Sequence, residues 1–330
     1  MKSLLALISS IFIAAALRQP RDLVTGAPTP KPVFDWNAVK YVYAFGDSYS
    51  FVQGTAGHPN FRCKVEPSAS SEMPFTFHSR LSIYCQTKLY PKISDGSNWL
   101  EFLTGCYEGR PFSCKRQLWD FAFAGADIDK TLLPLHHNFT VDLVDEVHQW
   151  SQYASHVIPH KPGSETMTFW WIGINDTGDV RGHNITNVET FWKDEMESYF
   201  QAVELAYAVG LRGTHLFINV PPGDRSPNSL GNPDNAAIQK QHIAEYNTAL
   251  DVYVDQLAIA HPDLNVFIFD SNAWFNRVLD NSEQYGFNNV TSYCTCKNST
   301  FFWYNAGHPT EHVHRLLAEA IEGELVDASV

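Results

Sequence analysis

Basic residues and long apolar runs are what this chain has least of. Its 330 residues carry 23 Lys and Arg against 36 Asp and Glu, a formal net charge of −13. That balance argues against nucleic acid and anionic membrane surfaces as partners, because both require basic patches. Beyond residue 17 no stretch is long and apolar enough to span a bilayer. Metal-binding patterns are missing too. No His-x-x-x-His pair is backed by a helical glutamate, and no acidic stretch has calcium-loop spacing. His308 and His312 have the bare spacing, but His308 is needed for another role below. A phosphate-binding glycine loop is also lacking. The sequence therefore predicts chemistry without a metal or other cofactor. No internal repeat and no second domain is visible.

What is present begins with a leader. Lys2 precedes an apolar run from Leu4 to Leu17 that ends in Ala14, Ala15 and Ala16. This pattern reads as a secretory signal peptide over residues 1–17. Residues 18–39 follow as a short leader segment, and 40–325 as one domain. Six cysteines (Cys63, Cys85, Cys106, Cys114, Cys294 and Cys296) are even in number, as a disulfide framework requires, although the pairing is not deducible. N-glycosylation sequons occur at Asn138, Asn184, Asn289 and Asn298. Together these features predict a secreted, extracellular, disulfide-bonded glycoprotein with no membrane span once the signal is removed. A monomer is expected.

The body of the chain alternates two kinds of segment. Apolar runs at 41–45, 119–124, 167–172, 214–220 and 266–269 read as buried parallel strands. Helical patterns fall at 98–103, 141–153, 188–209 and 235–260. A last helix follows Thr310, a plausible N-cap with Glu311 behind it. Alternation of this kind predicts an α/β fold, a three-layer α/β/α domain around a central parallel sheet. Function in such a fold sits at the carboxyl ends of the strands. Residues 53–97 are irregular, with Pro59, Pro67 and Pro74, and read as a loop region beside the site.

Two residues at opposite ends of the chain carry the chemistry. Ser48 lies in Tyr43-Ala44-Phe45-Gly46-Asp47-Ser48-Tyr49, just after the first strand. Gly46 permits a sharp turn there. That geometry lifts a hydroxyl above the sheet edge, where it can attack a carbonyl once a base takes its proton. His308, in Asn305-Ala306-Gly307-His308-Pro309-Thr310, is the candidate base; His312 and His314 are its local rivals. Asp47 is expected to bond the turn rather than to act in catalysis. Two further blocks lie between, Phe123-Ala124-Gly125-Ala126 and Gly173-Ile174-Asn175-Asp176.

Four such blocks in this order resemble the GDSL, or SGNH, hydrolase superfamily. The resemblance implies a flavodoxin-like fold and an oxyanion hole made by the backbone N–H of Ser48, the backbone N–H of Gly125 and the side-chain amide of Asn175. One departure stands out. The family's usual acid lies three residues before the histidine, where this chain has Asn305. An asparagine can accept from the imidazole N–H and hold its tautomer, but it cannot stabilise the imidazolium by charge. The expectation is a Ser48–His308 dyad oriented by Asn305 or a backbone carbonyl, with Asp270 a possible substitute.

Residues 171–179 (Trp-Ile-Gly-Ile-Asn-Asp-Thr-Gly-Asp) and 219–227 (Asn-Val-Pro-Pro-Gly-Asp-Arg-Ser-Pro) are similar to segments of fungal acetylesterases in carbohydrate esterase family 16. That likeness implies a serine esterase releasing acetate from acetylated oligosaccharides of the plant cell wall. Trp170, Trp171, Trp303 and Tyr304 lie near the motifs, where aromatic faces could stack on sugars. Two other readings compete: a lipase-like esterase for longer acyl chains, and a non-catalytic carbohydrate-binding protein on the same fold.

Overall fold

The computed structural model describes residues 33–52, 94–107, 111–157, 161–183 and 185–330. Residues 1–17, read above as a signal peptide, Cys63, Cys85, Asn184 and most of the irregular loop lie outside the described residues.

Five strands, β1 (Tyr41–Gly46), β2 (Gln117–Asp120), β3 (Thr166–Trp171), β4 (Thr214–Ile218) and β5 (Asn265–Phe269), form a parallel sheet. They are mostly apolar because both faces are covered. Tyr43, Phe45, Trp170, Phe217 and Ile268 point to one face, and Val42, Ala44, Met167, Phe169, Trp171, Leu216 and Ile218 to the other. The first face packs on α2 (Leu143–Gln149), α4 (Val188–Val209) and α6 (Pro233–Ala260). The second packs on α1 (Trp99–Thr104), α7 (Ser271–Asp280) and α8 (Glu311–Asp327). Much of the aromatic content is spent here. Phe45 stacks on Phe121 at 5.3 Å and on Trp170 at 4.8 Å, and Phe200 stacks on Phe217 at 5.4 Å. Among the described residues no helix is long and apolar enough to cross a membrane.

The strand order is β2-β1-β3-β4-β5. The chain therefore runs one way from β1 to β2 and the other way from β3 onward, and the crevice between β1 and β3 is the topological switch point.

Helix boundaries follow local chemistry. Asn98 and Glu101 form a reciprocal capping box at the start of α1. Asn187 caps α4 through Thr190 N, and Gly210 ends it in a left-handed conformation. Thr310 holds the N-cap position of α8, but its hydroxyl donates to the carbonyls of Phe301 and Phe302 instead of capping. Asp95 accepts from Glu311 N in its place, at 2.7 Å.

Several elements differ from the sequence reading. Strand β2 begins and ends earlier than the apolar run 119–124. Phe121 and Phe123 still donate to Ala44 O and Gly46 O past its end, so the apolar stretch continues as an irregular extension. Residues 34–39, read as leader, pack on the body: Phe34, Trp36 and Val39 are buried, and the Trp36 indole donates to Glu322 on α8. The short α3 (Ile174–Asp179), α5 (Pro227–Leu230) and α7, with the small pair β6 (Asn289–Tyr293) and β7 (Phe301–Trp303), were not anticipated. Disulfides join Cys106 to Cys114 and Cys294 to Cys296. Of the sequons, Asn138 is exposed, and Asn289 and Asn298 are half-buried.

Candidate active site

Strand β1 ends at Gly46, whose φ is +152°. A Cβ there would lie 2.0 Å from the Trp171 carbonyl oxygen, so only glycine lets β1 leave the sheet this close to the end of β3. The turn that follows is fixed by Asp47. Its carboxylate accepts from Tyr49 N at 2.9 Å, and its carbonyl accepts from Ser50 N and Phe51 N. Asp47 is thus the structural residue expected, and Ser48 is carried to the mouth of the switch point.

The loop from 304 to 309 delivers the histidine. His308 Nε2 lies 2.8 Å from Ser48 Oγ, and His308 Nδ1 lies 2.9 Å from Asn305 Oδ1. The same Asn305 oxygen accepts from Gly307 N at 3.0 Å and His308 N at 2.9 Å. Those two backbone donors decide which way the amide points, because a flipped NH₂ would face N–H groups. With oxygen toward the ring, Nδ1 carries the proton. Nε2 is then left with a lone pair for the Ser48 hydroxyl. Asn305, and no backbone carbonyl, is therefore the group on the far nitrogen. Asp270 does something else: it accepts from Asn219 and caps α7 through Ala273 N.

One residue here escaped the sequence reading. The Tyr49 hydroxyl donates to the Gly307 carbonyl at 2.7 Å, tying the serine turn to the histidine loop. Its ring also lies 5.6 Å from that of His308. The rivals of His308 are placed elsewhere. His312 donates to Ser299 O and packs on Phe287. His314 is buried behind His308 and lines a small pocket with Ser48, Phe51, Val52 and Ser94.

Burial alone pushes His308 down to about 4. Among the described residues no neighbouring carboxylate raises it again, which is the electrostatic signature of asparagine in the orienting place. The acid limb of kcat/KM is accordingly expected near pH 4. Asn305→Asp puts a charge beside the ring, favours the imidazolium, and should move that limb upward by about 1–3 units. A pH profile of both proteins on an aryl ester checks this; an unmoved limb would show that His308 is not the titrating base.

The remaining candidate donors lie past the carboxyl ends of β2 and β3. Gly125 follows the β2 extension with φ +79°, a left-handed conformation that glycine adopts without strain. Among the described residues neither Ser48 N–H nor Gly125 N–H has an acceptor. Asn175, in the first turn of α3, donates one amide hydrogen to Ala126 O at 2.8 Å, leaving the other available. Three of the four aromatic candidates are withdrawn from substrate, while Tyr304 is half-buried. Trp170 and Trp171 are fully buried, and Trp303 is buried with its indole donating to Val290 O. Core packing, not sugar stacking, accounts for them.

Asp47 and Asp176, next in sequence to Ser48 and Asn175, are buried carboxyl groups, as is Glu195. Burial pushes Asp47 up to about 8. Burial also raises Asp176 and Glu195, and the charge of Asp176 raises Glu195 further. These groups keep protons in the folded chain at pH values where the unfolded chain has lost them. Their contribution to stability falls as pH rises from the ordinary carboxylate range through about 8. His215 and His308, both lowered by burial to about 4 from 6.5, oppose this only below 6.5, where falling pH destabilises the fold. Tm is therefore expected to decline from pH 6.5 to about 8, and Asp47→Asn should flatten the decline. Thermal melts across that interval check it.

A hydroxyl, an imidazole and free N–H donors gathered at the switch point of a parallel α/β sheet are the components of an acyl-transfer site. Residues 42–321 match the GDSL-like lipase/acylhydrolase family, and the chain belongs to it. The protein is a carboxylic ester hydrolase. It is similar to an acetylesterase from Thermothelomyces thermophilus, 29% identical over 308 residues, which are 90% of this chain and 92% of that one. Among solved structures it is similar to a carbohydrate acetylesterase from Sinorhizobium meliloti, at 11% identity over 86% of this chain and 99% of that one, TM-score 0.43. An acetyl xylan esterase from Geobacillus stearothermophilus aligns at 14% identity over 89% of this chain and 98% of that one, TM-score 0.42.

Proposed function

We propose that the protein is a secreted serine esterase that removes short acyl groups, acetate above all, from carbohydrates of the plant cell wall. The observation that carries the mechanism is the unbroken chain from Ser48 Oγ through His308 to Asn305 Oδ1. His308 takes the hydroxyl proton as Ser48 Oγ bonds to the ester carbonyl carbon. The carbonyl oxygen gains the negative charge and is met by Ser48 N–H, Gly125 N–H and Asn175 Nδ2. Collapse expels the sugar alkoxide, which takes the proton back from His308, leaving an acetyl-Ser48 ester. Water, deprotonated by His308, then releases acetate and restores the serine.

Acetate is supported by the acetylesterase relative, which matches nearly the whole chain. Extracellular action is supported by the leader sequence and the sequons. The test is hydrolysis of aryl esters from acetate to decanoate, and of acetylated xylo-oligosaccharides, by the wild type and Ser48→Ala. Serine-dependent activity confined to acetate and acetylated sugar is expected. Rates that rise with chain length would move the assignment to a lipase.

A further inference from the structure

Asp127 lies two residues beyond Gly125 and is 1% exposed, yet among the described residues neither of its carboxylate oxygens has a hydrogen-bond donor. The charges that reach it from Asp176, Asp179, Asp47 and Asp142 are all negative. A carboxylate taken out of water without a partner is costly, so such a group holds either a proton or a cation. One group of the opposite tendency faces it. His136 Nε2 is 3.7 Å from Asp127 Oδ2, too long for a hydrogen bond. The same nitrogen contacts Asp179 Oδ2. Ligand atoms from Asp127, His136 and Asp179 all lie within 4.8 Å of one another.

We propose that Asp127, His136 and Asp179 bind one divalent transition-metal ion of the zinc class, beside the oxyanion donors. One imidazole nitrogen and two carboxylate oxygens are a donor set that suits zinc or manganese better than calcium or magnesium, which prefer oxygen alone. The layout has a floor and a door. Asp127 is the buried floor, while the side chains of His136 and Asp179 are about 30% open to solvent and give an ion its way in. The remaining coordination positions are filled by water.

The ion's place in the fold gives it a consequence. Asp127 and His136 belong to the segment that follows Gly125, and the His136 side chain lies 3.5–3.6 Å from where a Cβ on Gly125 would stand. Asp179 ends α3, the helix that carries Asn175. One ion therefore clamps together the two segments that carry the oxyanion donors. Neither Ser48 nor His308 is a ligand, so the site is separate from the proton-transfer chain.

The experiment titrates chelator-treated, dialysed full-length protein with ZnCl₂ by calorimetry and repeats the thermal melt with ZnCl₂ or MgCl₂. One equivalent of Zn²⁺ should bind and raise Tm, with no comparable effect of Mg²⁺. Asp127→Asn should weaken binding by at least about tenfold, since even residues behind a ligand cost 10–100-fold. Asp127 is buried and its variant can fail to fold. Asp179→Asn and His136→Gln, at partly exposed positions, should show the same loss and remove the rise in Tm. Absence of Zn²⁺ binding by the wild type overturns the proposal. So does binding of undiminished affinity in Asp179→Asn and His136→Gln, which would place the ion on other histidines.

Discussion

Ser48→Ala is expected to reduce kcat for ester hydrolysis by about 10⁵–10⁶-fold, the range seen when one member of a serine–histidine pair is removed from an acyl-transfer enzyme. The fold should not notice. Ser48 Oγ bonds only His308 among the described residues, and the turn is held by Asp47 and Tyr49, which stay in place. KM and Tm should therefore remain near those of the wild type. His308→Ala should cost about as much, and the double variant little more than either single one, because the pair acts as a unit. Residual turnover comes from the oxyanion donors, which neither variant removes. Rates within about tenfold of the wild type for Ser48→Ala would remove the serine as nucleophile. Multiplicative losses in the double variant would mean that the two residues act in separate steps.

The reach of the sequence reading follows from how local each signal is. Helix α4 was legible to the residue at both ends, because Asn187 and Gly210 are local stop signals around a periodic apolar face. Strands β1, β3 and β5 were legible within a residue or two as unbroken apolar runs. Ser48, His308 and Asn305 come together as the motifs implied, although 260 residues separate the serine from the histidine. Their blocks carry a local geometry that survives without knowledge of the fold. Tyr49 and the trio Asp127, His136 and Asp179 have no such local mark. Tyr49 matters only because the sheet brings Gly307 over it, and the trio spans 52 positions with no recurring spacing (179 − 127). Aromatic residues misled for the opposite reason. Trp303 stands beside a motif, yet a tryptophan at a sheet-packing position is drawn into the core by its area. Helix α7 was missed although Trp274, Phe275, Val278 and Leu279 form its buried stripe, because polar neighbours interrupt that stripe in the linear sequence.

Asn175→Ala should lower kcat by about 10²–10³-fold with KM nearly unchanged, the loss expected for one oxyanion donor. The split matters. The ester carbonyl of bound substrate carries little charge, so a donor aimed at the oxyanion contributes mainly in the transition state. A residue that merely shaped the pocket would change KM instead. Asn175 also donates to Ala126 O, so its removal frees a carbonyl and should lower stability by about 1 kcal/mol. That structural cost is separable. A melt reports it, whereas the rate loss persists at temperatures where both proteins are fully folded. Asn175→Asp sharpens the test. The carboxylate cannot donate when ionised, and its charge opposes the developing oxyanion, so kcat should fall below that of Asn175→Ala. If Asn175→Asp retains more activity than Asn175→Ala, the side chain is not part of the oxyanion hole, and Ser48 and Gly125 N–H alone receive the charge.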